Sequence, residues 1–343
     1  MAFSVANLPK FLVKHLLPAL RVLPPRAALR VVSDLGRVEH ALNLPRRWKY
    51  DAAVRRASEQ LGESWDTRKT SRDLAANQFR WRARDLLLDG LSNHQAAAYF
   101  EVTGEEHLAS AFAKNKGVVL LFNHFGPFLM PAHWIVRRGY PLRWFTERPR
   151  QISKLLSREF GDDGPLGQKG LFISRRLTPK EGSTAIRRAV RVLKAGMIVQ
   201  LAGDVRWSGA RNRPGTLLGK RYTFTTTWIT LAAMSGAPVV PVYGVMRPDG
   251  SCALEFLPSF DVPPDALDTG EAARLVQENL AAVESRIRKH PENSLDYLFW
   301  SEADPTGSEA VAAPAATVEH LAEGNSELLG IVLGDGVTLG MGR

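Results

Sequence analysis

The 343-residue chain is long enough to bury a sizeable core, and its 45% apolar and 23% charged residues place it among ordinary globular proteins. A formal net charge of +10, carried mostly by scattered arginine pairs, points to an anionic partner: a membrane surface, a phosphorylated lipid, an acidic carrier protein or a nucleic acid. The single Cys252 excludes an intrachain disulfide framework, and the lack of zinc spacing, RNA-binding sheet motif or helix-turn-helix signature sets nucleic acid aside.

Residues 1–25 include NLPKFLVKHLLPALRVLPP, with Lys10, Lys14 and Arg21 on one side of a helical wheel and Phe11, Leu12, Leu16 and Leu20 mainly on the others. Charges and Pro18 interrupt the stretch too often for a spanning helix, and it lacks a small-residue cleavage site. It reads as an amphipathic membrane-contact segment whose cations meet anionic headgroups; the alternative is a helix packed on the core. Residues 26–115 read as helical throughout, the last of these helices covering 105–116. Arg80, Trp81, Arg82 and Arg84 form either an interfacial belt or a solvated face with one buried tryptophan. His15, His40, His94, His107, His290 and His320 read as surface or capping residues.

The chain's centre of gravity is KGVVLLFNHFGPFLMPAHW, residues 116–134. An apolar run ends at Asn123-His124, and a glycine and a proline follow before the next apolar segment. This is the pattern of a buried strand that delivers a histidine to a strand–turn–helix junction, where the loop leaves the side chain accessible. A histidine that only hydrogen-bonds the turn is the plainer alternative. His133 has no supporting ligand on its segment, so a metal site is rejected.

Beyond this point strands and helices alternate. Strands are predicted over 140–146, 171–174, 197–202, 238–246 and 252–257, and helices over 151–160, 183–195, 225–235 and 270–289. The segment SGARNRPGTLLGKR reads as a basic loop, with Arg211, Arg213, Lys220 and Arg221 placed either to bind phosphate or simply to face solvent. Gly203-Asp204 follows the apolar run IVQLA. Trp134, Trp207, Trp228 and Trp300 read as core or groove walls. Residues 303–343, rich in Ala, Gly, Glu and Thr, read as a disordered tail.

Four ordered stretches carry a resemblance: GEEHLASAFAKNKGVVLLFNHFGPF, AIRRAVRVLKAGMIVQLAGDVRWSG, LLGKRYTFTTTWITLAAMSGAPVVPVYGVMRPDG and PENSLDYLFW. In order and approximate spacing they are similar to the lipid A biosynthesis (lauroyl/myristoyl) late acyltransferase family and its glycolipid-acylating relatives. The similarity spans residues 26–302. It implies an α/β fold, with a mixed, mostly parallel sheet flanked by helices and a helical, membrane-proximal amino-terminal part.

The same resemblance implies an enzyme that moves an acyl group from acyl carrier protein or acyl-coenzyme A to a hydroxyl or amine of a membrane lipid acceptor. Those thioesters are co-substrates, and no metal or redox cofactor is implied. An alcohol is a poor nucleophile at neutral pH, so a base must take its proton as it attacks. His124 stands where the family's catalytic histidine stands. Arg158 resembles the active-site arginine, with Arg175 and Arg176 as rivals, and Asp204 matches the family's strand-end aspartate. Arg211, Arg213, Lys220 and Arg221 are placed as donor or phosphate contacts. The expected location is peripheral, on the cytoplasmic face of an inner membrane.

One position departs from the family pattern, in which an aspartate or glutamate lies five residues after the histidine. Leu129 occupies that place, between Phe128 and Met130. A leucine cannot fix an imidazole tautomer or stabilise its cation. Either another carboxylate, Asp204 or Glu147, partners His124, or the histidine works unassisted, or the chain keeps the scaffold as an inactive lipid- or carrier-binding protein.

Overall fold

The computed structural model describes residues 17–20, 22–89, 91–147, 153–160, 171–173, 179–206 and 212–300. The tail at 303–343, most of the 1–25 segment, and Arg175, Arg176, Trp207 and Arg211 lie outside the described residues.

The amino-terminal part is helical. A single turn, α1 (Leu17–Leu20), precedes α2 (Pro25–Leu42), which starts on a proline whose missing N–H would be unpaired there anyway. At the corner before α3 (Leu44–Leu61), the Asn43 side chain accepts the Arg46 N–H at 3.2 Å. Next come α4 (Thr67–Leu88) and a short α5 (Asn93–Ala97), which opens on a capping box from Ser92 and Gln95. Helices α2 and α4 cross closely because Gly36 has no side chain: a Cβ there would lie 2.8 Å from the Ala75 carbonyl oxygen. Val32, Gly36 and His40 recur every four residues on the inward stripe of α2. His40 is therefore buried against Tyr50, not at the surface as expected, and burial lowers its pKa.

The α/β part begins with a strand in the region expected to be all helix. β1 (Phe100–Thr103) is only FEVT, too short for its alternation to stand out between α5 and α6 (Glu105–Ala113). Then follow β2 (Val118–Phe122), α7 (Met130–Arg137), β3 (Leu142–Trp144), β4 (Thr146–Glu147), α8 (Lys154–Phe160), β5 (Phe172–Ile173), α9 (Pro179–Lys194) and β6 (Ile198–Ala202). The chain continues through β7 (Arg213–Leu217), β8 (Lys220–Phe224), α10 (Thr227–Ser235), β9 (Val239–Met246), β10 (Cys252–Phe256) and α11 (Glu271–Lys289). A 3-10 turn (Pro291–Asn293) and α12 (Leu295–Leu298) close it.

Six strands form the main sheet in the order β1-β10-β9-β2-β6-β3. β2 runs parallel to both of its neighbours, and only the β9–β10 pair is antiparallel. The fold is thus α/β with a mixed, mostly parallel sheet flanked by helices, as the resemblance implies. Every residue of β2 is buried because its two faces pack on different cores. Val119 and Leu121 join Leu193, Ile229 and Leu280 from α9, α10 and α11. Val118, Leu120 and Phe122 join Phe79, Leu88 and Ile135 from α4 and α7.

The expected basic loop at 208–221 is, over its described part, a hairpin. β7 and β8 pair antiparallel around Leu218-Gly219, both at positive φ. Gly215, Leu217, Tyr222 and Phe224 point inward and alternate with exposed residues, a period of two that the arginines and lysine obscure in the sequence.

Candidate active site

The parallel register of β2 and β6 builds the centre of the site. Phe122 is paired with Ala202, so the residues two beyond each strand end, His124 and Asp204, fall side by side at the carboxyl edge of the sheet. The pairing continues past the strands, with the Gly203 N–H donating to the Phe122 carbonyl at 2.8 Å. Asp204 accepts the His124 backbone N–H on Oδ2 at 2.8 Å, and its Oδ1 lies 2.8 Å from His124 Nδ1. Asp204 is buried, whereas the His124 side chain keeps 31% of its surface exposed.

The turn after His124 is held from behind. Gly126 adopts φ +57°, and its N–H donates to the Asn293 carbonyl at 2.7 Å. A Cβ there would lie 2.3 Å from the Gly244 carbonyl oxygen, so only glycine fits. Asn123, the residue before the histidine, is buried and exchanges reciprocal 2.9 Å amide hydrogen bonds with Asn279 of α11. The strand end that carries His124 is therefore fixed to β9, α11 and the 3-10 turn together.

Tyr297 of α12 supplies a further contact, donating its hydroxyl to Asp204 Oδ2 at 2.5 Å. Burial pushes the Asp204 carboxyl up, but the charge of His124 and the hydrogen bonds from His124 and Tyr297 outweigh it and hold the group below its ordinary value. Burial, and then the neighbouring Asp204 charge, push the Tyr297 phenol far up, so it remains a donor. With Asp204 ionised, the imidazole hydrogen belongs on Nδ1 and the lone pair on Nε2. Asp296, half-buried next to Tyr297, has its carboxyl pushed up to about 6 by desolvation, with Asp204 adding and His124 opposing.

Aromatic rings line the approach. The Phe128 ring lies edge-on to His124 at 4.9 Å, stacks on Phe122 at 5.5 Å, and meets Trp81 of α4 at 4.8 Å. The guanidinium of Arg84 sits 3.5 Å over the Trp81 ring. Trp81 thus packs beside the candidate site, and Arg80 is buried and donates to the Arg247 carbonyl. Neither the belt nor the plain solvated face describes this run. Leu129 opens α7 and packs half-buried against the apolar cluster, while Asp204 takes the Nδ1 contact and Glu147 lies exposed on β4.

The other expected site residues are spread out. Arg158 is exposed in the last turn of α8, where its charge bears on Arg137 at the far end of α7. Arg213 donates to the Leu267 carbonyl at 2.9 Å. Lys220 starts β8 and borders a small crevice lined also by Arg56, Gln60, Tyr222, Tyr297 and Trp300, and Arg221 is exposed on the hairpin. Trp134 and Trp228 are buried.

Residues 86–299 match the family described as bacterial lipid A biosynthesis acyltransferase. This chain belongs to that family. A search of curated proteins finds no match. The matched span takes in His124, Asp204, Asp296 and Tyr297 and leaves out α1 to α3 and most of α4. For a lipid A-type acyltransferase the general activity is acyl transfer, with a lipid acceptor and an acyl thioester donor. PENSLDYLFW by itself gives Asp296 and Tyr297 no role; its place in order with the other three stretches is the available signal.

Proposed function

We propose that this family member transfers a fatty acyl group from acyl carrier protein or acyl-coenzyme A to a hydroxyl or amine of a lipid or glycolipid, with His124 as general base. The observation that carries the reading is the 2.8 Å contact between His124 Nδ1 and the buried, ionised Asp204 beneath a partly exposed imidazole. Nε2 takes the acceptor proton as the acceptor oxygen attacks the thioester carbonyl carbon. The C–O bond forms, the tetrahedral intermediate collapses, the C–S bond breaks, and the imidazolium returns the proton to the departing thiolate. Asp204 stabilises the imidazolium between those two transfers. The Phe122, Phe128 and Trp81 rings offer an apolar lining for the acyl chain.

Leu129 favours a second reading, an inactive protein that binds lipid or carrier on the same scaffold. Supplying labelled acyl carrier protein or acyl-coenzyme A with total bacterial membrane lipid separates the two. Label recovered in lipid supports transfer. Label left on both donors, with the protein folded and bound to lipid, overturns it in favour of the scaffold. The cytoplasmic face of an inner membrane, where both donors are available, is the compartment this reading requires.

A further inference from the structure

The α2–α3 corner exposes more apolar surface than a solvated corner needs. Val38 and Leu42 lie four apart on α2 and are 51% and 57% exposed, and Leu44 and Trp48 lie four apart on α3 at 48% and 65%. Leu42 and Leu44 flank Asn43, so the two pairs meet at the corner. No helix among the described residues is long and apolar enough to cross a membrane. The exposed charge of α3 is cationic: Arg46 pairs with buried Glu39 and Arg47 with Asp51, which leaves Lys49, Arg55 and Arg56 against Glu59. Lys49 and Arg55 are exposed, and Arg55 lies two turns along α3 from Trp48, on the same face.

We infer that this corner docks on an anionic bilayer, with Leu42, Leu44 and Trp48 entering the interfacial layer and Lys49 and Arg55 meeting its headgroups. An amphipathic indole beside lysine and arginine is the side-chain set that partitions into that layer. A second copy of the chain fits less well. Four half-exposed side chains offer roughly 400 Å², about half of what one partner contributes to a standard interface. Two chains of net charge +10 would also repel each other.

The corner is tied to the candidate site through α4. Arg46 donates to Gln78 and lies 6.0 Å from the Phe79 ring, and one turn further along α4 stands Trp81, which packs on Phe128 beside His124. A bilayer held at the corner would thus bear on the same helix, α4, whose Trp81 packs on Phe128 beside His124. This last link rests on the acyltransferase reading; docking itself does not.

The test uses the full chain and phosphatidylcholine vesicles with and without phosphatidylglycerol. Binding is expected with phosphatidylglycerol and to weaken with salt. Trp48→Ser should weaken it about tenfold, and Lys49→Gln or Arg55→Gln about fivefold each, at unchanged thermal midpoint. A fluorophore on Leu44→Cys should shift to the blue only when anionic vesicles are added; Cys252 is buried and escapes the label. Unchanged binding by all three variants, or no spectral shift, overturns the proposal. So does a shift already present without vesicles, because the corner is then covered by residues of its own chain or by a second copy. His124→Ala should bind vesicles as the wild type does, so a failure of docking and a failure of the catalytic reading remain distinguishable.

Discussion

The Tyr297 hydroxyl lies 2.5 Å from Asp204 Oδ2, the same oxygen that accepts the His124 backbone N–H. A donor from the chain's last described helix thus helps keep the histidine's partner ionised. Its donation favours the carboxylate, so removing it raises the Asp204 pKa. Tyr297→Phe is expected to lower kcat about tenfold and to move the acid limb of its pH profile upward. The depressed Asp204 also contributes stability that is present above its unfolded pKa and lost as pH falls through the folded one, so the variant should unfold earlier in acid. A lower kcat with an unmoved pH profile would reduce Tyr297 to a packing role.

Asp296 behaves in the opposite sense. Its folded pKa of about 6 lies above the ordinary 3.8, so its contribution to stability is complete below the ordinary value and lost as pH rises through about 6. Asp296→Asn should stabilise the protein by roughly 3 kcal/mol in mild alkali and leave stability in acid unchanged. Thermal melts across pH check this; a pH-independent change would contradict the assigned titration.

Leu129→Glu restores the carboxylate of the family pattern, but Asp204 already holds Nδ1 and Leu129 packs in apolar surroundings. Turnover is therefore expected not to rise, and stability to fall by about 1–3 kcal/mol. A gain in acyl transfer measured beside the wild type would show that Asp204 is an incomplete substitute.

Much of this arrangement was legible in the sequence where the signal is local. Val118–Phe122 is a continuous apolar run because β2 is buried on both faces, and the mostly apolar IVQLA announces β6 for the same reason. His124 and Asp204 each follow an apolar run in the sequence and so read as strand-end residues; their pairing follows from parallel register, which no local pattern encodes. Tyr297 was missed because its partner lies 93 residues away. β1 was too short to register, and cations masked the alternation of β7 and β8. Trp81 could be read as belt or solvated face because its neighbour Phe128 lies on another element.

Gly126→Ala tests the turn itself. The left-handed φ and the 2.3 Å approach to the Gly244 carbonyl oxygen should cost about 2 kcal/mol or more, and displacement of His124 should lower kcat with it. Chemical denaturation and kinetics on one preparation check both effects; loss of neither would mean that the turn is not held as described.

In the proposed mechanism His124, set by Asp204, takes the acceptor's proton. The most direct measurement is transfer of labelled acyl groups from carrier protein and coenzyme A to membrane lipid, with wild type beside folded His124→Ala. Label in lipid is expected with the wild type, and a loss of about 10²–10⁴-fold in rate with the variant. Equal rates from the two proteins would contradict it.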